Sequence, residues 1–314
     1  MKRLLTISFI IVIVITFTSC RNKGAETIRF AVARHDWAGL AMIAAEKGYF
    51  EEQGLNVEVI YLPTGVECLD ALISNSVHIG TIASVNVANL GYSGNTNISV
   101  VASINTNSST GIIARRSAGI NTPEDLRGKR IAFSPGTTSE IFLARFLEMY
   151  NLTGDVELVR MQINTISAAI IARSVDAICS LGPFLYNAEK ALGDDAISFR
   201  ENDYHDMYIG VNTSFANENR DSVLRIIQAL EEAAVFANDN VSEAHEIVAR
   251  IVNLDLDVVM AIWEFHDFSV RLSSENLDRV IGIGEYYRNE EVNRNRTFPD
   301  YSVYFDYSFM EDLN

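Results

Sequence analysis

Short β-branched runs alternate with amphipathic stretches twice along this chain, and that repeated alternation narrows the available folds more than any other feature. Ile28–Ala33 (IRFAVA) reads as a buried strand, Arg34-His35-Asp36-Trp37 as a turn, and Gly39 to Phe50 as a helix that ends at Gly48. Asn56–Leu62, Val77–Ala83 and Ser99–Ile104 read as strands, with helices over Val66–Ser74 and from about Asn86 to Leu90 between them. Parallel neighbours need a crossover, and a helix supplies it, so this spacing predicts an α/β layer around a largely parallel sheet.

The alternation restarts after about residue 116, which predicts a second, similar domain. Gly111–Arg116, Arg130–Phe133, Val156–Met161 and Asp176–Ser180 read as strands, and Ser167–Arg173 as a helix. Thr122 is a natural N-cap with Pro123 at the first helical position. After Ser134-Pro135-Gly136-Thr137-Thr138-Ser139-Glu140, the residues Phe142, Leu143, Phe146, Leu147 and Tyr150 fall on one helical face. Met207–Val211 is one more strand, and beyond it the pattern is helical. Val223, Ile226, Ile227 and Leu230 recur at i, i+3, i+4, i+7, as do Ala244, Ile247, Val248 and Ile251, and Leu277, Val280, Ile281 and Gly284. The tail from Phe298 to Phe309, rich in Tyr and Phe, reads as a segment docked on the core.

The first twenty residues read as an address. Lys2 and Arg3 precede an almost unbroken apolar run, Leu4 to Phe17, followed by Thr18-Ser19-Cys20 and a polar stretch. This is the charged, apolar and small-residue order of a signal peptide, and the run is short for a membrane span. Cys20 directly after Ser19 resembles a bacterial lipobox, although Phe17 stands where Leu is usual. The expectation is export, with cleavage before a lipidated Cys20. The remaining cysteines, Cys68 and Cys179, lie far apart with no CxxC or Cys/His spacing, so neither a disulfide nor a zinc site is expected.

Charge removes other classes. With 25 Lys+Arg against 41 Asp+Glu and a net charge of −16, the chain lacks the basic clusters that nucleic acid or an anionic membrane surface requires. It has no G-x-S-x-G, H-E-x-x-H, P-loop or G-x-G-x-x-G, and its five His show no i, i+4 pair. No cofactor and no metal are expected.

Four segments carry a family resemblance: AAEKGYFEEQGLNVEVIYLPTG (44–65), DALISNSVHIGTIA (70–83), GIIARRSAGINTPEDLRGKRIAFSPGTTS (111–139) and SVDAICSLGPF (174–184). In this order and spacing they resemble the bacterial substrate-binding proteins for nitrate, sulfonates, taurine and thiamine-precursor pyrimidines, the NMT1/THI5-like group. The resemblance spans roughly residues 28–215. It implies a two-lobed periplasmic-binding-protein fold of type II, each lobe a mostly parallel sheet flanked by helices, with a small-molecule ligand in the cleft. It also implies the membrane subunits of an ATP-binding-cassette (ABC) importer as partner, and a monomer. A lipid anchor at Cys20 fits that role, because it keeps the receptor beside its transporter. The expected domains are a signal over 1–20, lobe I over 26–116 plus 207–314, and lobe II over 117–206, with crossings near Ser117 and Asp206.

Independently of family, open α/β sheets bind ligands beyond the carboxyl ends of their strands. That rule selects Asp36 and Trp37, Thr64 and Gly65, Ser84 and Asn86, and Asn105 with Thr106 from the first lobe. From the second it selects Thr137, Thr138 and Ser139, then Thr165, and Ser180 with Phe184. The resemblance points at the same loops. Ser134–Ser139 is the best single site: a turn, three hydroxyls and a helix start that would accept an anion. Trp37 and Phe184 are candidate aromatic walls. Glu67 and Glu140 read as first-turn helix charges, and His205-Asp206 as a surface hinge.

The expected function is capture of a small anion of the sulfonate, taurine or nitrate type. A flat heterocycle such as a thiamine-precursor pyrimidine is the alternative ligand. Enzymes share this fold, including thiamine-pyrimidine synthases, so catalysis on a small metabolite is the alternative class; an exported sensor ranks last.

Overall fold

The alternating pattern resolves into two sheets, each with helices on both faces. The computed structural model describes residues 27–289, 293 and 295–313, so the expected signal segment with Cys20 lies outside the described residues.

The chain opens with β1 (Ile28–Ala33), α1 (Gly39–Lys47), α2 (Tyr49–Glu52), β2 (Val57–Leu62), α3 (Gly65–Ile73), β3 (Ile79–Ala83), α4 (Ser84–Ser93) and β4 (Ile98–Asn107). It continues through β5 (Gly111–Arg115), β6 (Arg130–Phe133), α5 (Thr138–Met149), β7 (Glu157–Arg160), α6 (Ile166–Ile171), β8 (Ala177–Ser180), α7 (Gly182–Leu192) and β9 (Ala196–Phe199). It returns with β10 (His205–Asn212), α8 (Thr213–Glu218), α9 (Arg220–Asp239), α10 (Val241–Val252), α11 (Leu256–Ile262), β11 (His266–Asp267), α12 (Ser274–Arg288) and α13 (Ser308–Glu311).

The first sheet has the order β11-β4-β10-β3-β1-β2 and the second β7-β6-β8-β5-β9. Both are mixed. In the first, β1 to β4 share one direction, and β10, between β3 and β4, runs against them. In the second, β5 runs against β8 and β9, while β6 pairs parallel with β7 and β8.

Period-2 alternation places the core. Along β1, Ile28, Phe30 and Val32 enter one apolar cluster with residues of α1, α9 and α10. Ala31 and Ala33 enter the opposite cluster with residues of α3, α4 and α12. The second sheet is sandwiched in the same way, with α5 packed on the face of Ile112 and α6 and α7 on the face of Ile113. Burying each of the Ile, Val and Phe side chains is worth about 2 kcal/mol. The aromatic tail is docked as expected, with Tyr301, Tyr304, Phe305 and Phe309 buried.

The sheets correct three readings. β5 belongs to the second sheet, so the chain passes between sheets at 108–110 and not near Ser117. β5 is buried on both faces, and a continuous apolar run carries no mark of which sheet it joins. The return passage spans 200–204, and His205 and Asp206 are already paired to Asn107 and Thr106 in the first sheet. They are wholly buried, not a surface hinge. Finally, β9 and β11 are short strands with no apolar run to announce them, and β11 interrupts the expected all-helical C-terminal part.

Candidate ligand-binding cleft

The carboxyl ends of β1, β2 and β3 face those of β6, β7 and β8 across a cleft of about 400 Å³. The first sheet contributes the turn after β1, the β2–α3 loop, the start of α4, and Met207 of β10. The second contributes Ser134 to Thr138, Gln162 and Ile163, and Leu181 and Phe184. A wider hollow of about 630 Å³ lies on the outer side of α2 and α9. It is lined by those two helices alone, with no loop from the second sheet, so the cleft is the candidate site.

Seven expected residues line the cleft: Trp37, Thr64, Gly65, Asn86, Thr137, Thr138 and Phe184. The PGTTS segment is shaped for a small acceptor. Gly136 takes φ +72°, a left-handed turn that most side chains resist, and its amide donates to Glu140 Oε2 at 2.8 Å. Thr137 Oγ1 lies 2.8 Å from the Ser134 carbonyl oxygen and 2.7 Å from Ser139 Oγ. The Thr137, Thr138 and Ser139 amides have no protein acceptor among the described residues, as befits the positive end of the twelve-residue α5.

Opposite, Thr64 caps α3: its hydroxyl accepts from the Val66 amide at 3.1 Å and donates to the Glu67 carboxylate. Asn86 Oδ1 accepts from the Ala83 amide at 2.8 Å, leaving Nδ2 without a partner among the described residues. A Cβ on Gly65 would sit 2.7 Å from that Oδ1, so the close approach of the two loops requires glycine here. Trp37 stacks on His205, ring centroids 6.3 Å apart at 21°, and its buried Nε1 has no partner among the described residues. Phe184 stands in the first turn of α7 rather than in a loop.

Seven expected residues do not line the cleft. Asp36 is 1% exposed and turned into the protein, where its Oδ2 lies 2.9 Å from His266 Nε2 and its Oδ1 2.8 Å from His35 Nδ1. Burial alone would push the Asp36 carboxyl up, but the two imidazoles outweigh it and hold the group well below the usual carboxylate range. Asn105 is buried too, with Nδ2 3.2 Å from the Trp37 carbonyl oxygen and 2.9 Å from His266 Nδ1. His266 Nδ1 therefore accepts and Nε2–H donates to Asp36. Asp36 and Asn105 fix the turn that presents Trp37. Ser84, Ser139 and Ser180 are wholly buried at the first turns of α4 and α5 and the end of β8. Thr165 is exposed, and its hydroxyl donates to the Gln162 carbonyl oxygen. Thr106, at the end of β4, also points inward, its hydroxyl 2.7 Å from Asp206 Oδ1.

Sequence reasoning passed over Arg34, His35, Glu67, Gln162, Ile163, Leu181 and Met207 as lining residues. Arg34 and His35 lie in a turn the pattern had marked, and Leu181 directly follows a strand end. Met207 lies inside a central strand and carries no local signal. Among the described residues Arg34 is the one Arg or Lys side chain on the cleft wall, its guanidinium 5.9 Å from the centroid of the Tyr61 ring.

Ion pairs, one on a wholly buried carboxylate and one half-buried, stand beside the passages between the sheets. Arg279 Nη1 meets both Asp206 oxygens, at 2.8 and 3.0 Å, and the Tyr208 hydroxyl lies 2.9 Å from Oδ2. Asp203, in the return passage, links Arg145 of α5 at 2.6 Å to His205 at 3.1 Å. Burial opposes ionisation of Asp203, but His205 and Arg145 lower its pKa. Among the described residues no group of three or more His, Cys, Asp or Glu is arranged to hold a metal, and no helix is long and apolar enough to cross a membrane.

Known proteins share this architecture. A Brucella abortus relative that carries the name of a binding protein is 26% identical over 231 residues, covering 71% of this chain and 70% of its own. A Bacillus subtilis protein assigned by name to aliphatic sulfonates is 24% identical over 225 residues, 69% of this chain and 68% of its own. The crystal structure of the periplasmic aliphatic sulphonate binding protein from Escherichia coli superposes with a TM-score of 0.76 at 16% identity, over 89% of this chain and 91% of that one. A desulfurization enzyme, DSZB, shares the fold at TM-score 0.68 and 15% identity, over 91% and 98%. Residues 37–244 match the NMT1/THI5-like family. The match takes in the Trp37 turn, the Thr64–Gly65 and Asn86 loops and the PGTTS helix start, and on it the chain belongs to the NMT1/THI5-like family, built on the periplasmic-binding-protein fold.

Proposed function

We propose that this protein is the solute receptor of an ABC importer, exported and anchored through Cys20, that closes two lobes on a small organic sulfonate. The observation that carries this reading is the cleft itself. A helix start with three unpaired amides faces a wall bearing Arg34, and Trp37, Phe184, Leu181 and Ile163 form an apolar surround. An anionic head group suits the first pair of features and a short hydrocarbon suits the last. The sulfonate names of the Bacillus subtilis and Escherichia coli proteins agree with this chemistry. Lobe I is the unit around the first sheet and lobe II the unit around the second, with hinges at 108–110 and 200–204. Closure follows from ligand contacts made to both lobes together.

The test is a thermal-shift and calorimetric screen of residues 21–314 against ethanesulfonate, taurine, nitrate, bicarbonate, thiamine and its pyrimidine precursors. Saturation at a hundred times Kd adds about 2.7 kcal/mol of stability. Ethanesulfonate should give that shift and be recovered unchanged. Thr137→Val with Thr138→Val should weaken it at least about tenfold. A response to a pyrimidine alone would transfer the site to the flat heterocycle that Trp37, Phe184 and the free Asn86 amide also suit. Consumption of the ligand would make the protein an enzyme, as its structural neighbour DSZB is.

A further inference from the structure

The segment 256–265, α11 with the turn Trp263–Phe265 after it, is built on the first sheet's side, yet it touches α7 and both passages between the sheets. Two anchors hold it to lobe I. Val259 is buried in one cluster with Ala244, Ile247 and Val248 of α10, and the Trp263 ring meets His245 of α10 edge-on at 4.6 Å. From there it reaches α7 of lobe II at two points. A Cβ on Gly182, the first residue of α7, would lie 3.2 Å from Ile262 Cγ2, so the helices approach closely there. About two turns further along α7, Lys190 pairs with Asp257, and the Tyr186 hydroxyl lies 3.5 Å from the same carboxylate. The two helices therefore run antiparallel. The turn holds the passages. The Ser108 amide donates to the Phe265 carbonyl oxygen at 3.1 Å. The Arg200 guanidinium stands over the Phe265 ring, 4.7 Å from its centroid, and donates to the Ser109 carbonyl oxygen at 3.1 Å.

We propose that segment 256–265 is a strap: it holds lobe II in the arrangement that encloses the cleft, and the lobes part only when α7 slips along α11. The inference rests on the two-lobed receptor reading and adds what sets the ease of opening. The mechanics are those of a lever. Gly182 sits at the pivot, its amide 3.3 Å from Ser109 Oγ in the first passage. Lys190 stands about 12 Å along the helix from it. A hinge rotation across α7 therefore moves Gly182 least and Lys190 most, so the Lys190–Asp257 pair is made in one arrangement of the lobes and broken in another. Leu181 and Phe184, at the start of α7, line the cleft, whereas no residue of the strap does. The strap is thus coupled to a wall the ligand touches without touching the ligand. Its two fastenings differ in strength. Lys190 and Asp257 are exposed, so their pair shifts the lobe equilibrium only a few-fold. Arg200 is half-buried, where a cation–π contact counts for more.

The experiment reads the distance between the lobes, by pulsed electron paramagnetic resonance, in the ligand-free protein. Spin labels go on Asp70→Cys in α3 and Glu148→Cys in α5, both exposed and one on each lobe, while the native Cys68 and Cys179 are wholly buried. With the strap intact the labels should give one narrow distance. Asp257→Asn with Phe265→Leu should add a second population at longer distance. Ethanesulfonate should then leave about fivefold faster, while the distance in the loaded protein stays that of the intact strap. Should Phe265→Leu unfold the protein, the exposed pair decides alone: Asp257→Asn should speed release about twofold, and Lys190→Asp with Asp257→Lys should restore it. An intact strap already spread over both distances, or an unchanged distribution in the variants, would overturn the inference and leave the receptor reading standing. A second distance in the variants with no ethanesulfonate bound by any form would support the strap and overturn the sulfonate reading.

Discussion

The carboxylate of Asp36 and the imidazole of His266 lie 230 positions apart in the chain and meet at 2.9 Å, with side-chain exposures of 1% and 0%. The contact ties the turn after β1 to β11, on the far edge of the same sheet, and so holds Trp37 at the cleft.

Removing this charge should unfold the protein more easily at neutral pH and hardly at all in acid. The folded-state pKa of Asp36 is depressed, so its contribution is present above the ordinary carboxylate range near 4 and is lost as pH falls below it. Asp36→Asn should cost about 3 kcal/mol at pH 7, and the gap to wild type should begin to shrink only below about pH 4 and go on shrinking as the pH falls further toward the depressed folded-state value. Urea unfolding at a series of pH values gives the comparison; a constant gap would mean that the carboxylate charge is not what the pair contributes.

Arg279 should matter for folding although it lies outside the cleft. It is the cation held by the wholly buried Asp206, and Arg279→Met leaves that carboxylate unpaired. The expected loss is about 3–5 kcal/mol, with part of it recovered in Asp206→Asn, Arg279→Met, since removing both charges avoids the stranded one. Guanidinium midpoints of the single and double variants decide it.

Arg34 should act on the encounter more than on the fold. It is exposed at the cleft wall, so Arg34→Gln should leave thermal stability within about 0.5 kcal/mol. Ethanesulfonate association should slow several-fold and become less sensitive to salt. Stopped-flow rates across a salt series would show whether this guanidinium steers the ligand.

Gly65→Ala should loosen the site by displacing its neighbour on the cleft wall. The added methyl meets Asn86 Oδ1, which caps the Ala83 amide, so the Asn86 side chain must swing away. The expectation is a loss of about 1–2 kcal/mol in stability and a weaker complex. Unchanged affinity would show that Asn86 does not touch the ligand.

The thiols should be silent. Cys68 and Cys179 are free and wholly buried, and burial pushes the Cys68 thiol up to about 12 and Cys179 well above its ordinary value. A thiol reagent at pH 8 should leave both unmodified in the folded protein and label both in guanidinium.

How much of this could be read in advance depended on how local the determinant was. β1, β2, β3 and β6 are bounded by turns and carry their own patterns, so their carboxyl ends, and with them most of the cleft loops, were legible. PGTTS was legible because a turn glycine and a helix start lie within six residues. The choice between His35 and Asp36 was not. They are neighbours in one tight turn, and which of them faces the cleft is settled by His266 and Asn105, distant in sequence. The sheet that β5 joins was hidden for a related reason: its partners β8 and β9 lie 62 or more positions onward, and its own residues are buried on both faces.

The register of β4 and β10 has a consequence for how such a molecule is assembled. Asn107, the last residue of β4, sits directly opposite His205, the first of β10. Everything from 108 to 204 is thus an excursion launched from the open end of a hairpin. A tight turn joining Asn107 to His205 would close the first sheet with every strand pairing intact. One wall of the cleft is architecture and the other is cargo carried on it, exchangeable as a block, so the partner wall could be replaced by splicing at two adjacent points rather than by redesigning the whole chain.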